Sequence, residues 1–411
     1  MGSNVRESVL RKLRDAYKID NLAKFQEEII YQDELYYPTL RNILFSAPTG
    51  SGKSLVAETI ACVNVLLSRK RCIFIEPYIA SASELFFSLQ RQWRSLGLIV
   101  KAHFGAASLS LREEFDAVVC TIEKGTSLVS RLIKDRVLDQ FSTIVIDEVH
   151  MTFDNDRGTL IEDLLIKLKF MNTISTETVC QVIAMSATVE DATPLEGLLN
   201  TTILDYSICE KRDLDEYYIV NNKYYSQRKE EIELVEKQPM FNFKSDETGV
   251  LNLVMESLVE WKSVLVFCRT KALVEKTAKL IAMCIDKCSK KKNDTFKVLG
   301  DRVGECNLLS GCGFMDTYIK TGVAFHHSGV PNEIRKKIET LYRERKIAVI
   351  VCTSTLSTGV NLPASRVLII LADNFDKSLN YVAYHQMIGR TGRRGFGRGS
   401  ADFSLAALKS C

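Results

Sequence analysis

The sequence predicts an α/β protein of two tandem domains, each a parallel sheet flanked by helices. Three observations carry that prediction. Short, nearly continuous apolar runs alternate with longer amphipathic stretches, the pattern of buried parallel strands covered by helices on both faces. The alternation comes as two series separated by a polar stretch. At 411 residues, the chain also exceeds what one hydrophobic core usually supports.

Residues 1–20 set Leu and Val among charges at helical spacing and predict a lead-in helix. The first domain is expected over 21–208. It begins with Leu22, Phe25 and Gln26 ahead of a helical run through Ile29 and Ile30. Five apolar runs then predict strands: Ile43–Phe45, Cys72–Ile75, Ala117–Cys120, Thr143–Ile146 and Val182–Met185. Leu55–Leu67 and Ala82–Trp93 are amphipathic and predict helices between them. Lys211–Thr248 is rich in charge and tyrosine (Tyr217, Tyr218, Tyr224, Tyr225) and has little periodicity. It reads as a linker or domain edge over 209–248, with the boundary inside 205–250. The second domain, 249–411, repeats the pattern at Val264–Phe267, Gly322–Phe325, Ala348–Val351 and Arg366–Leu371. Ser289–Thr295 and Gly311–Gly313 are polar or glycine-rich and are expected in an insertion loop.

Composition narrows the class without naming it. Apolar content of 46% and charged content of 26% are ordinary for a globular protein. A net charge of +3 neither demands nor excludes nucleic acid, so any basic surface is local. No apolar run approaches the roughly 18–20 residues of a membrane span. The N-terminus (Arg6, Glu7, Arg11, Lys12, Arg14) has no apolar signal core, which argues against secretion. Arg6 stands where myristoylation after Gly2 requires Ser or Thr. Of the twelve cysteines, Cys72, Cys120, Cys268 and Cys352 fall in apolar runs and read as small buried hydrophobes in a reducing compartment. Cys284, Cys288, Cys306 and Cys312 form the one cluster; their spacing fits zinc knuckles poorly, so free thiols are expected.

Leu44–Ser54 is the stretch around which the chemistry is organised. An apolar strand passes through Ala47-Pro48-Thr49-Gly50-Ser51-Gly52-Lys53-Ser54 into a helical pattern. Such a loop leaves backbone N–H groups pointing inward, a nest for phosphate oxygens at the positive end of a helix. Lys53 is placed to reach the β- and γ-phosphates, and the Ser54 hydroxyl to hold Mg²⁺. Ala47 takes the place of the first glycine of the usual pattern and remains small enough for the turn.

Ile144–His150 ends an apolar strand in Asp147-Glu148, at the sheet edge where open α/β folds bind ligands. Asp147 suits a Mg²⁺ coordination sphere and Glu148 suits a base that activates water. Alone, such a pair would be an ordinary helix cap; behind a phosphate loop it reads as catalytic. Ser186 and Thr188, flanking Ala187 at the next strand end, are placed to hydrogen-bond to the Asp147–Glu148 loop. Near the C-terminus, Gln386, Arg390 and Arg393 are spaced to share one face of a helix. Two guanidinium groups there fit charge stabilisation of a transferring phosphoryl group, with the nucleotide clamped between domains. Arg394 and Arg398 read equally as a basic nucleic-acid patch.

The order of Gln26, A-P-T-G-S-G-K-S, D-E-V-H, S-A-T and Q-M-I-G-R-T-G-R-R-G resembles the superfamily 2 helicases across residues 22–396. Phe325–Gly329 and Cys352–Ala364 look like the superkiller/Brr branch. Ile75–Tyr78, Thr121–Gly125 and Asp147–Met151 are similar to HELQ and the helicase domain of DNA polymerase theta, and Thr121–Gly125 favours HELQ. The resemblance implies two tandem RecA-like domains and a 3′-to-5′ ATP-dependent motor on single-stranded DNA, acting in DNA repair in the nucleus. By the same resemblance, Gln26 recognises adenine, and Thr49, Gly50, Ser51, Gly52, Lys53 and Ser54 hold the triphosphate. Ser54 and Asp147 bind Mg²⁺, Glu148 acts on water, and Gly359, Gln386, Arg390 and Arg393 close the site. Pro77, Tyr78, Thr121, Glu123, Arg269, Thr353 and Thr355 fall in motifs that line the strand, where hydroxyls and backbone amides suit sequence-blind phosphate contacts.

Single-stranded or 3′-tailed DNA is the implied partner, with repair and recombination proteins beside it and no membrane. Val149 replaces a more usual Leu. The chain ends at Cys411, whereas the family continues into a winged-helix and a helical domain, which leads to an expectation of ATP hydrolysis with poor processive unwinding. Two alternatives stay open at this point: an RNA helicase of the same branch, since phosphate contacts do not separate the two nucleic acids, and a DNA-binding ATPase without processive unwinding.

Overall fold

The computed structural model describes residues 2–48, 50–153, 158–175, 180–187, 191–206, 214–220, 223–228, 231–235, 240–241, 249–290, 316–356, 362, 364–372, 381–390 and 401–408. The chain divides into two compact units, Met1–Glu210 and Lys211–Cys411.

The first unit opens with the lead-in helix, α1 (Gly2–Tyr17), whose Val9, Leu10 and Leu13 are buried. Next comes α2 (Lys24–Ile30), where Gln26 Oε1 accepts the Ala23 N–H at 2.8 Å and closes the first turn. Seven parallel strands follow: β1 (Ile43–Ser46), β2 (Arg71–Glu76), β3 (Val100–His103), β4 (Ala117–Thr121), β5 (Phe141–Ile146), β6 (Gln181–Ser186) and β7 (Ile203–Asp205). Their spatial order is β3-β4-β2-β5-β6-β1-β7. The helices between them are α3 (Lys53–Ser68), α4 (Ile79–Trp93), α5 (Ile122–Lys134), α6 (Gly158–Ile174) and α7 (Thr193–Leu199).

Strand alternation explains the near-continuous apolar runs. Phe45, Phe74, Val119, Val145 and Ile183 enter one core with α1 to α4. Their neighbours Leu44, Ile73, Val118, Ile144 and Val182 enter a second core with α5 to α7. With both faces covered, the strands read as near-continuous apolar runs, and the polar residues among them lie mostly at strand ends. Phe74 and the fully buried Trp93 meet edge-to-face at 5.8 Å in the first core. Gly125 lets α5 close on β2, since a Cβ there would lie 2.9 Å from Ile75 Cγ1.

The second unit carries an eight-stranded sheet, ordered β10-β9-β8-β15-β14-β11-β13-β12. Four strands stand where apolar runs predict them: β11 (Val264–Phe267), β12 (Val323–His326), β13 (Val349–Cys352) and β14 (Arg366–Ala372). The helices are α8 (Val250–Val259), α9 (Lys271–Lys290), α10 (Asp316–Ile319), α11 (Asn332–Arg343) and α12 (Tyr381–Ile388). Phe267, Phe325, Val351 and Leu368 lie in its core.

The stretch expected as a linker, 209–248, differs from that expectation. It contains β8 (Leu214–Val220), β9 (Lys223–Arg228) and β10 (Glu231–Val235), an antiparallel meander joined to the second unit's sheet through β15 (Ala401–Leu408). The tyrosines explain it: Tyr218 pairs with Tyr225 and Ile219 with Tyr224 across β8 and β9. Tyrosine and isoleucine have high strand propensity, which outweighs the charge around them. Ser289 and Lys290 belong to α9 rather than to an insertion loop; the rest of Ser289–Thr295, and Gly311–Gly313, lie outside the described residues. Cys72, Cys120, Cys268 and Cys352 are buried as expected. Cys284 and Cys288 are free thiols on α9, while Cys306 and Cys312 lie outside the described residues.

Candidate active site

The first unit's site lies at the C-terminal edge of its sheet. β1 ends at Ser46, and α3 begins at Lys53. The intervening turn uses Gly50 and Gly52 at φ of 77° and 95°, conformations that side-chain-bearing residues rarely adopt. Gln26 braces the turn from α2, its Nε2 donating to Gly52 O at 3.0 Å and Ser51 O at 3.4 Å. Lys53 Nζ donates to the Ala47 carbonyl at 2.7 Å and the Pro48 carbonyl at 3.4 Å. The ammonium is thus held within the loop by the backbone it spans. Ser51 Oγ is buried without a hydrogen-bond partner among the described residues. A polar group so placed at a helix N-terminus fits phosphate oxygens. Ser54 is exposed in the first turn of α3, and Thr49 lies outside the described residues.

Two strands away, β5 delivers the carboxylates. The Asp147 N–H is held by Ile75 O at 3.0 Å, and Asp147 Oδ1 accepts the Glu148 N–H at 2.9 Å. Glu148 has φ of 50°, a strained value for a residue with a side chain, of a kind that persists where surroundings enforce it. Burial, and then the Glu148 charge, push the Asp147 carboxyl up to about 7, with Lys53 opposing. The Ser54 hydroxyl and Asp147 carboxylate are hard oxygen donors of the kind Mg²⁺ takes. His150 follows one turn on: its Nδ1 lies 2.7 Å from Ser186 Oγ at the end of β6 and 3.3 Å from Glu148 Oε2. Ser186 therefore meets the acidic loop through His150, the last residue of D-E-V-H. Thr188 lies outside the described residues.

The four strand-lining candidates of this unit share the same edge, on the β2 and β4 side. Pro77 is buried after β2, and half-buried Tyr78 precedes α4, its carbonyl taking the Ala82 N–H at 2.9 Å. Thr121 is buried at the head of α5, where Glu123 is exposed. Glu76, buried between Thr121 and Asp147, falls inside the Ile75–Tyr78 motif, but that resemblance gave it no role of its own.

In the second unit, Arg269 is exposed after β11, and Thr353 is buried after β13, its N–H donating to His326 O at 3.3 Å. Gln386 lies on α12, but Arg390 does not share its helix face as expected. The helix ends at Ile388, Gly389 intervenes, and buried Arg390 sits in a turn whose carbonyl takes the Ala364 N–H at 2.9 Å. Gly359 and Arg393 lie outside the described residues, as do Arg394, Arg398 and the Thr355 side chain.

A phosphate-cradling loop on β1, with a carboxylate pair on β5 of a parallel sheet, defines a P-loop nucleoside triphosphatase. The comparisons with known proteins carry this further. The DEAD/DEAH box helicase profile matches residues 26–196, and the helicase conserved C-terminal domain matches 275–395. The chain belongs to this family of superfamily 2 helicases, in its superkiller-like branch, and its two units are tandem RecA-like domains. It is 34% identical to mouse DNA polymerase theta over 86% of this chain and 15% of the relative. It is 32% identical to human "Helicase POLQ-like" over 94% of this chain and 36% of the relative. Identity to the "ATP-dependent DNA helicase Hel308" of Methanococcus vannielii is 30%, over 92% of this chain and 50% of the relative. The chain thus spans half or less of each of these relatives.

Proposed function

We propose that this chain is an ATP-dependent DNA helicase or translocase that moves 3′ to 5′ on single-stranded DNA. The observation that carries the reading is the convergence of Gln26, Lys53, Asp147, Glu148 and His150 on one sheet edge, in a chain similar to a Hel308 named as an ATP-dependent DNA helicase.

Gln26 holds the phosphate loop, and its role in recognising adenine is the one the family resemblance gives it. Backbone amides of Thr49 to Gly52 and the Lys53 ammonium bind the triphosphate, while Ser54 and Asp147 hold Mg²⁺. Held there, the metal would supply neutralisation of the triphosphate's charge. Glu148, steadied by His150 and Ser186, orients the attacking water and takes its proton. Arg390 and Arg393 supply charge stabilisation to the transferring phosphoryl group, and Gln386 and Gly359 help close the nucleotide site. Pro77, Tyr78, Thr121, Glu123, Arg269, Thr353 and Thr355 line the strand through contacts that do not read sequence.

DNA repair in the nucleus, alongside repair and recombination proteins, is the setting that the similarity to DNA polymerase theta and the POLQ-like helicases favours. Among the described residues, no helix is long and apolar enough to cross a membrane. The experiment is steady-state ATP hydrolysis with matched single-stranded DNA and RNA. Stimulation by DNA with little by RNA is expected; the reverse would make the chain an RNA motor of the same branch.

A further inference from the structure

Arg6 of α1 is a buried charge that has no part in the scheme above. It is 8% exposed. Its guanidinium lies over two rings at once, 5.0 Å from the centre of Tyr31 and 5.3 Å from that of Tyr36. Its Nη1 donates to Asp33 Oδ1 at 2.7 Å, while its buried Nε has no hydrogen-bond partner among the described residues. The Asp33 side chain is 90% exposed, so that ion pair alone contributes little. The two rings hold the cation.

Both rings belong to the end of α2. Tyr31 caps that helix, and the Tyr36 hydroxyl donates to the Ile30 carbonyl of its last turn at 2.7 Å. A guanidinium there also meets the negative end of the helix dipole. Gln26, in the first turn of the same helix, donates to the Gly52 and Ser51 carbonyls of the phosphate loop. With seven residues, α2 is too short to be a stable helix alone, so packing sets its position. Phe25, Ile29 and Ile30 anchor it by apolar contact, which is non-directional. Arg6 adds the directional contact, at the C-terminal end. The helix is about 10 Å long at about 1.5 Å per residue, so a displacement at Tyr31 is carried to Gln26.

We propose that Arg6 is a positioning residue of the nucleotide site, locking α1 to the end of α2 and thereby holding Gln26 against the phosphate loop. This inference rests on the reading of that loop and Lys53 as the triphosphate site. Arg6 acts through Gln26, not on the nucleotide itself.

The test is the dissociation constant of the full chain for a fluorescent ATP analogue with Mg²⁺, beside kcat and KM for ATP hydrolysis. Arg6→Ala is expected to raise the dissociation constant and KM about 2- to 30-fold, the range over which residues that touch no ligand alter its binding. Because Gln26 takes no part in the chemical step, kcat is expected to stay in place. Arg6→Lys keeps a cation over the rings and is expected to restore most of the affinity. In a Gln26→Ala background, Arg6→Ala is expected to add little, since the side chain it positions is gone. Tyr31→Leu removes one ring from an exposed position and is expected to weaken binding in the same direction; it decides the matter if Arg6→Ala does not melt cooperatively. Wild-type affinity in the folded Arg6→Ala chain, or in Tyr31→Leu where that chain does not fold, overturns the proposal. A loss of affinity that persists undiminished in the Gln26→Ala background also overturns it, by making Arg6 a general support of the unit. Either result leaves the nucleotide site standing. Failure of the wild-type chain to bind the analogue overturns the site reading itself, and this inference with it.

Discussion

His150 Nδ1 lies 2.7 Å from Ser186 Oγ, joining the acidic loop after β5 to the end of β6. The same nitrogen is 3.3 Å from Glu148 Oε2, so Ser186 orients the ring that flanks the proposed base. Losing one such hydrogen bond costs about 0.5–1.5 kcal/mol, or about two- to tenfold in rate. Ser186→Ala is expected to lower kcat for ATP hydrolysis by that factor and to leave nucleotide affinity unchanged. Steady-state kinetics beside equilibrium binding separate the two effects. A change in affinity with kcat intact would detach Ser186 from Glu148.

Gly52 is fixed by two independent constraints. Its φ is +95°, and a Cβ there would stand 2.4 Å from Gln26 Nε2. Holding another residue in such a conformation costs about 1–3 kcal/mol, before the displacement of Gln26 is counted. Gly52→Ala is therefore expected to weaken binding of a fluorescent ATP analogue at least about tenfold, the equivalent of about 1.4 kcal/mol. Wild-type affinity in that variant would show that the turn relaxes without consequence.

Arg390→Ala separates two roles for the second unit. Charge stabilisation of a transferring phosphoryl group is worth on the order of 10³–10⁵ in rate, whereas a strand contact alters nucleic-acid affinity. The expected result is ATP hydrolysis that stays low at saturating single-stranded DNA. Turnover restored by excess DNA would assign Arg390 to the strand instead.

The motifs were legible because each is local: the loop from β1 to α3, and the acidic pair closing β5, are read from consecutive residues. So were nine strands whose two buried faces demand unbroken apolar runs. β3 escaped because only Val100 of its four residues is buried. β7 is only three residues long. The β8 to β10 meander was obscured by charge, its antiparallel register becoming evident only across strands. Glu76 and His150 fall within quoted motifs, but their contacts were not legible, since their partners arrive from neighbouring strands that no spacing rule connects. The Gln386–Arg390 face failed at Gly389, a helix-ending residue inside the motif.

Glu58, fully enclosed on α3, takes the Tyr17 hydroxyl at 2.8 Å and 2.9 Å from its two oxygens, and burial pushes its carboxyl up to about 8. Between its ordinary value near 4.5 and about 8, the native state retains a proton that the unfolded chain has released. The contribution of this group to stability is therefore greatest below that window and falls as pH rises through it. Glu58→Gln keeps an acceptor for Tyr17 without a titrating group. Its melting temperature is expected to gain on the wild type from pH 5 to pH 8, by more than about 1.4 kcal/mol in stability terms. Asp147 titrates in both proteins and cancels from the comparison. A difference that does not change with pH would place the Glu58 proton elsewhere.

The central claim is that the edge carrying Lys53, Asp147 and Glu148 hydrolyses ATP and that a DNA strand drives it. The direct measurement is ATP turnover by residues 1–411 with Mg²⁺, with and without single-stranded DNA, for the wild type, Glu148→Gln and Lys53→Ala. Turnover is expected to rise with DNA in the wild type. In Glu148→Gln it is expected to fall about 10²–10⁴-fold with nucleotide binding preserved, and in Lys53→Ala binding itself is expected to weaken. DNA-stimulated turnover that persists undiminished in Glu148→Gln, or a wild-type chain that does not turn over ATP in the presence of DNA, would contradict the account.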